Sequence, residues 1–192
     1  MAEQIKRELK NDSSKKNGLD ISSLLLVAVL LASGAVLKLT VGSFINFFGM
    51  KPNFIIAMYC LAILLVRPNM LQAGIIGLIA GAVCQLLPGT PYLNFISEFL
   101  GALTMAALLK VPLGNHSNIK AAIASFIATV VSGGTFTICL FLFLGAASSS
   151  LVAYVPIVLC TACINSVMVT ALYAPLSRVL HRGESASSAV SA

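Results

Sequence analysis

The sequence predicts an all-α integral membrane protein, folded as a compact bundle of six transmembrane helices with both termini in the cytoplasm. Of the 192 residues, 58% are hydrophobic and only 9% are charged, whereas about a quarter of the residues of a soluble domain are charged. A chain with this composition has too few polar groups to cover its surface in water. In a lipid bilayer its surface does not need to be polar. The acidic residues agree, because Glu98 is the only one between residues 21 and 183.

Proline, glycine, asparagine and charged residues divide the apolar region into six predicted helices. Their predicted bounds are 22–39, 53–66, 70–87, 93–109, 119–144 and 151–180. A basic cytoplasmic tail of residues 1–20 precedes them, and a flexible tail of residues 183–192 follows them. The predicted membrane domain therefore covers residues 21–182, and its unequal helices favour a compact bundle over a row of independent anchors.

The boundaries of these helices are visible in the sequence. The first helix could pass for a signal peptide, but further spans follow it, so we interpret it as a transmembrane helix. Pro52 suits the first position of the second helix, which at about 14 residues is short for a span. The connections 88–92 and 145–150, after the third and fifth helices, carry no charge.

Lysine and arginine predict the orientation of the bundle. If the N-terminus is inside, ten of these residues lie on the inner side, and only Lys38 and Lys51 lie on the outer side. Because cytoplasmic loops carry the excess of positive charge, this count places both termini inside. The segment FGMKPNF (residues 48–54) is then an external loop, and Lys51 faces the outside.

Several chemistries have no support in the sequence. No phosphate-binding loop is present, and the two histidines, His116 and His181, lie at predicted cytoplasmic edges, away from any nucleophile within the bundle. Cys160 and Cys163 have the spacing of a zinc or redox motif, but in an apolar helix without histidines they are better interpreted as packing residues. We therefore expect no enzyme activity and no metal site.

Glu98 is the strongest candidate for a functional residue. A carboxylate inside a membrane helix is costly, so it normally faces a cavity or a partner. The spacing of Asn94, Glu98, Gly101 and Met105 places them on one face of the fourth helix. The simpler alternatives are a structural carboxylate bonded to a neighbouring helix, or a permanent ion pair with Lys51.

Other polar and aromatic residues are weaker candidates. Serine and threonine in membrane helices often bond to their own backbone, so Ser132 alone is a weak signal. Asn165 lies in the middle of the sixth helix, where its amide needs either a ligand or a neighbouring helix. Phenylalanines, Phe48 among them, cluster around the first external loop, and the chain has no Trp. This composition suits an apolar lid better than an interfacial belt, which is rich in Trp and Tyr.

Two pairs of small residues predict close helix contacts. Ala28 and Ala32 on the first helix, and Gly77 and Gly81 on the third, are each four residues apart. Such spacing lets helices approach closely, and packing inside the bundle is the simplest interpretation of both pairs.

Together these features resemble a known family, the substrate-binding S components of energy-coupling-factor (ECF) transporters, and within it the tryptophan-transport type. The resemblance covers about residues 22–180. The matching stretches are FGMKP (48–52), Asn94, SG (132–133), Asn165 and YAP (173–175). It implies a bacterial, multi-pass cell-membrane protein that captures its substrate from outside, in a cavity formed by helices four to six with the first loop as a gate.

The resemblance also implies partners. Ala28 and Ala32 would dock the transmembrane coupling subunit of the transporter, and two partner ATPase subunits would use ATP, so that this chain needs no cofactor. The net charge of +6 reflects basic residues at the membrane edges and does not indicate a nucleic-acid partner. Its expected substrate is tryptophan or a related aromatic compound.

The expected substrate-binding residues are Lys51, Asn94, Glu98, Ser132, Asn165 and Phe48. We expect Glu98 to bind the substrate ammonium, Lys51 its carboxylate, and the loop phenylalanines its indole. The role of Glu98 is inferred from this sequence and not from the resemblance. Two alternatives remain: an S component for a vitamin such as thiamine, or a membrane scaffold protein that transports nothing.

Overall fold

The computed structural model describes residues 19–44, 52–90, 92–112, 117–145 and 148–190. In these ranges the chain forms helices only, without any strand. The helices are α1 (Ile21–Leu39), α2 (Val41–Phe44), α3 (Phe54–Val66), α4 (Met70–Gln85), α5 (Leu93–Lys110), α6 (Ser117–Leu144) and α7 (Ser148–Val190). The prediction of an all-α fold is therefore confirmed for the described part of the chain.

The six predicted helices correspond to α1 and α3–α7, and α2 is an additional single turn. Two of the helix starts have clear local causes. The Asp20 side chain accepts a hydrogen bond from the Ser23 N–H and caps α1. Asn69 and Gln72 form a reciprocal capping box at the start of α4, which satisfies backbone donors that the first turn leaves free. At the other end of the chain, α7 continues beyond the predicted residue 180 to Val190.

Four helical segments of the described chain are long and apolar enough to cross a membrane. These segments are Ile21–Leu39, Leu93–Lys110, Asn118–Leu144 and Val152–Leu180. Large apolar side chains such as Leu71, Val152 and Val167 are exposed on the outside of the bundle, as lipid contact requires. The shorter α3 and α4 are also apolar, and the crossing of all six helices, with both termini cytoplasmic, stays a prediction.

Helix α3 occupies the centre of the bundle. It has 13 residues, and every side chain from Phe54 to Leu64 is buried. It contacts α1, α4, α5, α6 and α7. Its length of about 20 Å is less than the roughly 30 Å of a hydrocarbon core. Because α3 is apolar on all sides and surrounded by other helices, its short length fits a central element better than a lipid-facing one.

Glycines allow α4 and α5 to pack closely. A Cβ on Gly77 would lie 2.6 Å from the carbonyl oxygen of Glu98 and 2.8 Å from Cβ of Ala102. A Cβ on Gly81 would lie 2.9 Å from Cα of Phe95. The predicted close contact at this glycine pair is therefore confirmed, and it brings the backbone of α4 against the part of α5 that carries Glu98.

The alanine pair on α1 is placed differently. Ala28 and Ala32 are both exposed, whereas Val27, Leu30 and Leu31 are the α1 side chains that pack into the bundle. Internal packing, the simplest interpretation of the alanine pair, is therefore wrong for these two residues. They lie on a small-residue strip of the outer surface.

Candidate functional site

A cavity of about 360 Å³ lies at one end of the bundle, where α1 and α4 end and α3 and α5 begin. Pockets that bind small molecules typically have volumes of about 300–1,000 Å³. We call this space the site cavity. Residues of α1, α3, α5, α6 and α7 line it, with Ile56 as the contribution of α3, together with Asn53 before α3 and the connection of residues 87–90.

Glu98 is the buried acid of the site cavity. It is on the second turn of α5, and its side chain is only 1% exposed. Oε2 accepts a hydrogen bond of 2.9 Å from the Ser132 hydroxyl on α6, and Oε1 accepts one of 2.5 Å from Nδ2 of Asn53. The thiol of Cys84 on α4 lies 3.9 Å from Oε1. Groups from three neighbouring segments thus hold the carboxylate in one position at the cavity wall.

Asn53 was not predicted as a site residue. It occupies the N-cap position of α3, where an asparagine side chain usually accepts a hydrogen bond from the first turn, but here the side chain makes no such bond. It turns instead to Glu98, while its backbone carbonyl accepts a 3.2 Å hydrogen bond from Nδ2 of Asn165. The sequence gives no signal for this, because an asparagine before an apolar helix indicates an ordinary cap.

Asn165 is fully buried on α7 and is not part of the cavity lining. Its Nδ2 bonds to Asn53, and its Oδ1 has no partner within the described chain. This placement fits the helix-to-helix alternative, in which the amide joins α7 to the start of α3. Asn165 therefore does not contact Glu98 directly, but it bonds to Asn53, which bonds to Glu98.

The predicted face of α5 is buried as expected. Asn94 is 7% exposed and lines the site cavity, and Gly101 and Met105 are buried below Glu98. A Cβ on Gly101 would meet the hydroxyl oxygen of Tyr59 and Cβ of Ser132. The Tyr59 hydroxyl is buried, lies near Glu98 and Ser132, and makes no well-aligned hydrogen bond within the described part of the chain. Gly101 therefore provides the space in which α3 and α6 approach the acid.

The serines and threonines of α6 divide into two kinds. Ser125 and Thr129 donate to backbone carbonyls of their own helix, at 2.7 Å to Ala121 and 2.8 Å to Ser125. Ser132, on the same face, donates to Glu98. Only the contact with Glu98 distinguishes Ser132 from Ser125 and Thr129. The sequence pattern of α6 does not separate the three residues.

Lys38 is the second charged residue of the site cavity and was also missed as a site residue. The sequence places it near the end of the first helix, where a lysine usually reaches toward the headgroups. The side chain is half-buried, lines the cavity, and donates to Sγ of Cys84 at 3.8 Å. Lys51 and Phe48, the predicted residues of the external loop, lie outside the described residues.

The structure thus brings three of the predicted site residues, Asn94, Glu98 and Ser132, to one cavity, which Lys38 and Asn53 also line. The α6 and α7 lining of the site cavity combines polar and apolar side chains. Its threonines are Thr129, Thr137 and Thr161, and its apolar and aromatic residues are Phe136, Tyr154, Ile157 and Val158.

Metal binding has no support in the described part of the chain. There, no three histidine, cysteine, aspartate or glutamate side chains are close enough together to hold an ion. Cys160 and Cys163 are exposed free thiols on α7.

Comparisons with known proteins agree with one another. The family model described as tryptophan transporter TrpP matches residues 20–181. A probable tryptophan transport protein of Bacillus subtilis (strain 168) is 26% identical over 161 residues, which are 83% of this chain and 92% of that protein. No solved structure matches the chain significantly.

Proposed function

The chain belongs to the tryptophan transporter family TrpP and is a multi-pass cell-membrane protein, and from this premise we propose that it captures tryptophan outside the cell as the substrate-binding subunit of an importer. Its assignment to a transporter family supports a role in binding and uptake rather than in catalysis. The probable function of its Bacillus subtilis relative, tryptophan transport, supports the same substrate.

Glu98 is the observation that carries this proposal. An ionisable side chain inside a membrane protein is costly to bury and usually has a functional partner, and Glu98 is buried at the wall of a cavity large enough for a small molecule. A carboxylate in this position is complementary to the ammonium group of an amino acid. A charge-assisted hydrogen bond of this kind is about twice as strong as a neutral one.

The rest of the cavity is complementary to the rest of tryptophan. Phe136, Tyr154 and Val158 supply an apolar wall for the indole ring, and aromatic pairs add to the free energy of burial when they are offset or edge-to-face. In the proposed complex, Asn94 and Ser132 are the neutral polar contacts. Asn165 acts through the Asn53 carbonyl to which it donates.

The proposal retains the predicted roles of the external loop. Lys51 approaches the substrate carboxylate from the loop, and Phe48 covers the indole when the loop closes. Lys51 is two residues and Phe48 five residues before Asn53 in the chain, and Asn53 bonds to Glu98. This connection supports the loop of residues 48–54 as the gate of the cavity.

We further propose that the protein works as an S component of an ECF transporter. Its partners are then a transmembrane coupling subunit and two ATPase subunits, which use the ATP, so that the chain needs no cofactor. The exposed Ala28 and Ala32 on α1 support this assignment, because a strip of small residues lets a partner helix approach closely. The lysine and arginine count supports cytoplasmic termini, with the site cavity open to the outside.

A fluorescence titration tests the substrate. Because the chain has no Trp, added tryptophan is the only indole in the sample, and its emission shifts to shorter wavelength when it enters an apolar cavity. We expect saturable binding to the purified protein, and a loss of affinity of at least about tenfold in Glu98→Gln, equivalent to about 1.4 kcal/mol. Ser132→Ala should weaken binding as well.

Ser125→Ala is the matched control, because Ser125 is equally buried on α6 but bonds to its own backbone. It should leave tryptophan affinity unchanged. A thermal-shift panel of amino acids and vitamins gives the opposing outcomes, since a ligand of the native state raises its stability. Stabilisation by thiamine and not by tryptophan would support the vitamin alternative, and a panel without any stabilising compound would support the scaffold alternative.

A further inference from the structure

We propose that Lys38 binds the carboxylate of the substrate from the wall of the site cavity, so that Lys38 and Glu98 together select an amino-acid zwitterion. This inference rests on the proposed function and adds a residue to its site. It concerns a lysine that the positive-charge count alone assigns to the membrane edge.

The charges of the cavity lining carry the inference. Among the described residues that line the site cavity, Lys38 is the one cation and Glu98 the one anion. They are on different helices, α1 and α5, and both lie beside the Cys84 thiol, at 3.8 Å and 3.9 Å from its sulfur. The Lys38 ammonium and the Glu98 carboxylate thus reach the same cavity from two different helices.

The two charges are close without being joined. Both contact the same Cys84 thiol, and the described part of the chain contains no ion pair between Lys38 and Glu98. Sulfur is a weak acceptor, whereas a lysine ammonium has three donors. Lys38 therefore keeps donors for a stronger acceptor, and a carboxylate is the acceptor that best compensates a partly buried ammonium.

An α-amino acid fits between such a pair. Its ammonium and carboxylate are attached to the same carbon atom, so the ammonium can contact Glu98 while the carboxylate contacts Lys38. The side chain then points to the apolar wall formed by Phe136 and Val158.

This arrangement gives the site a basis for discrimination. A compound without the carboxylate leaves the Lys38 ammonium uncompensated, and a compound without the ammonium leaves Glu98 uncompensated. Sites that are built to bind a polar group reject analogues without it, because their own buried groups are then unpaired. A lysine that only reaches toward the headgroups has no such effect on substrate choice.

The experiment compares three ligands on the purified full-length protein: tryptophan, tryptamine, which lacks the carboxylate, and indole-3-propionate, which lacks the ammonium. The wild type should bind tryptophan at least about tenfold more tightly than tryptamine. Lys38→Gln should lower tryptophan affinity by a similar factor without lowering tryptamine affinity, which removes the preference. Lys38→Arg, which keeps the charge, should retain it.

Lys110→Gln is the matched control, because Lys110 is an exposed lysine at the opposite end of α5. It should bind all three ligands as the wild type does. An equal loss of tryptophan and tryptamine affinity in Lys38→Gln, or a full preference retained in Lys38→Gln and lost in Lys51→Gln, would overturn the inference. So would a wild type that binds tryptamine as tightly as tryptophan, a result that needs no variant to fold.

A different result would contradict the proposed function, namely that the wild type does not bind tryptophan at all. If the wild type binds tryptophan and Lys38→Gln keeps the preference over tryptamine, the function stands and only the role of Lys38 is wrong.

Discussion

Asn53 and Glu98, 45 residues apart in the sequence, are joined by a 2.5 Å hydrogen bond from Nδ2 of the amide to Oε1 of the carboxylate. This bond links the start of the central helix α3 to the acid of the site cavity. It also connects the acid to the segment of residues 48–52 that directly precedes Asn53. The loop of residues 48–54 that we propose as the gate therefore contains the residue that bonds to Glu98.

The first prediction concerns this bond. Asn53→Ala removes one of the two short hydrogen bonds to Glu98, and a hydrogen bond to a charged group contributes about 1.5–3 kcal/mol. We expect tryptophan affinity to fall by about tenfold or more, because the carboxylate is no longer held toward the cavity, and we expect a lower melting temperature. Both are measured on purified protein, by the titration described above and by thermal unfolding.

Asn118→Ala is the control for this variant, because Asn118 is an exposed asparagine near the start of α6, far from the cavity. It should leave both affinity and melting temperature unchanged. A normal tryptophan affinity in Asn53→Ala would show that Asn53 does not position the acid.

The second prediction concerns the space beside Glu98. The Tyr59 hydroxyl and Cβ of Ser132, the latter at 2.8 Å, already occupy the surroundings of the position that a Cβ on Gly101 would take. Gly101→Ala therefore forces α3 and α6 away from α5, and overpacking of this kind typically costs about 1–3 kcal/mol. We expect a lower melting temperature and weaker tryptophan binding.

Gly134→Ala provides a stringent comparison on α6. A Cβ on Gly134 would have nothing within 4 Å, and alanine favours a helix over glycine by about 1 kcal/mol. This variant should be as stable as the wild type or slightly more stable, with normal binding. If Gly101→Ala and Gly134→Ala have the same melting temperature, the close contacts at Gly101 do not make an alanine destabilising there.

The third prediction separates partner docking from substrate binding. Ala28→Leu combined with Ala32→Leu fills the exposed small-residue strip of α1, which the site cavity does not include. If this strip docks the coupling subunit, the double variant should bind tryptophan normally but no longer co-purify with the coupling and ATPase subunits. Co-purification from membranes that contain all the subunits measures the effect.

Ala107→Leu is the control for docking, since Ala107 is an exposed alanine on α5. It should co-purify with the partner subunits as the wild type does. Normal co-purification of the double variant would exclude the strip as the docking surface, and loss of tryptophan binding in it would show that the change disturbs the bundle itself.

Much of the fold was predictable because its causes are local. Composition identifies the membrane class, and the ends of the helices depend on groups within a few residues, such as Asp20 with Ser23 and Asn69 with Gln72. Periodicity within one helix was enough to find the buried face that carries Glu98. The additional turn α2 and the extension of α7 to Val190 have no comparable signal.

The sequence by itself determined that this is an apolar helical membrane protein with one acid, Glu98, inside its membrane domain. Only the tertiary structure decided which groups meet that acid. Ser132 is 34 residues away from it and Asn53 is 45 residues away, and Lys38 reaches the same cavity from α1. No pattern along the chain distinguishes these residues from a serine bonded to its own helix, an ordinary N-cap or a lysine at the membrane edge. The difference arises where separate helices pack together, because their contacts alone fix which side chains surround the buried charge.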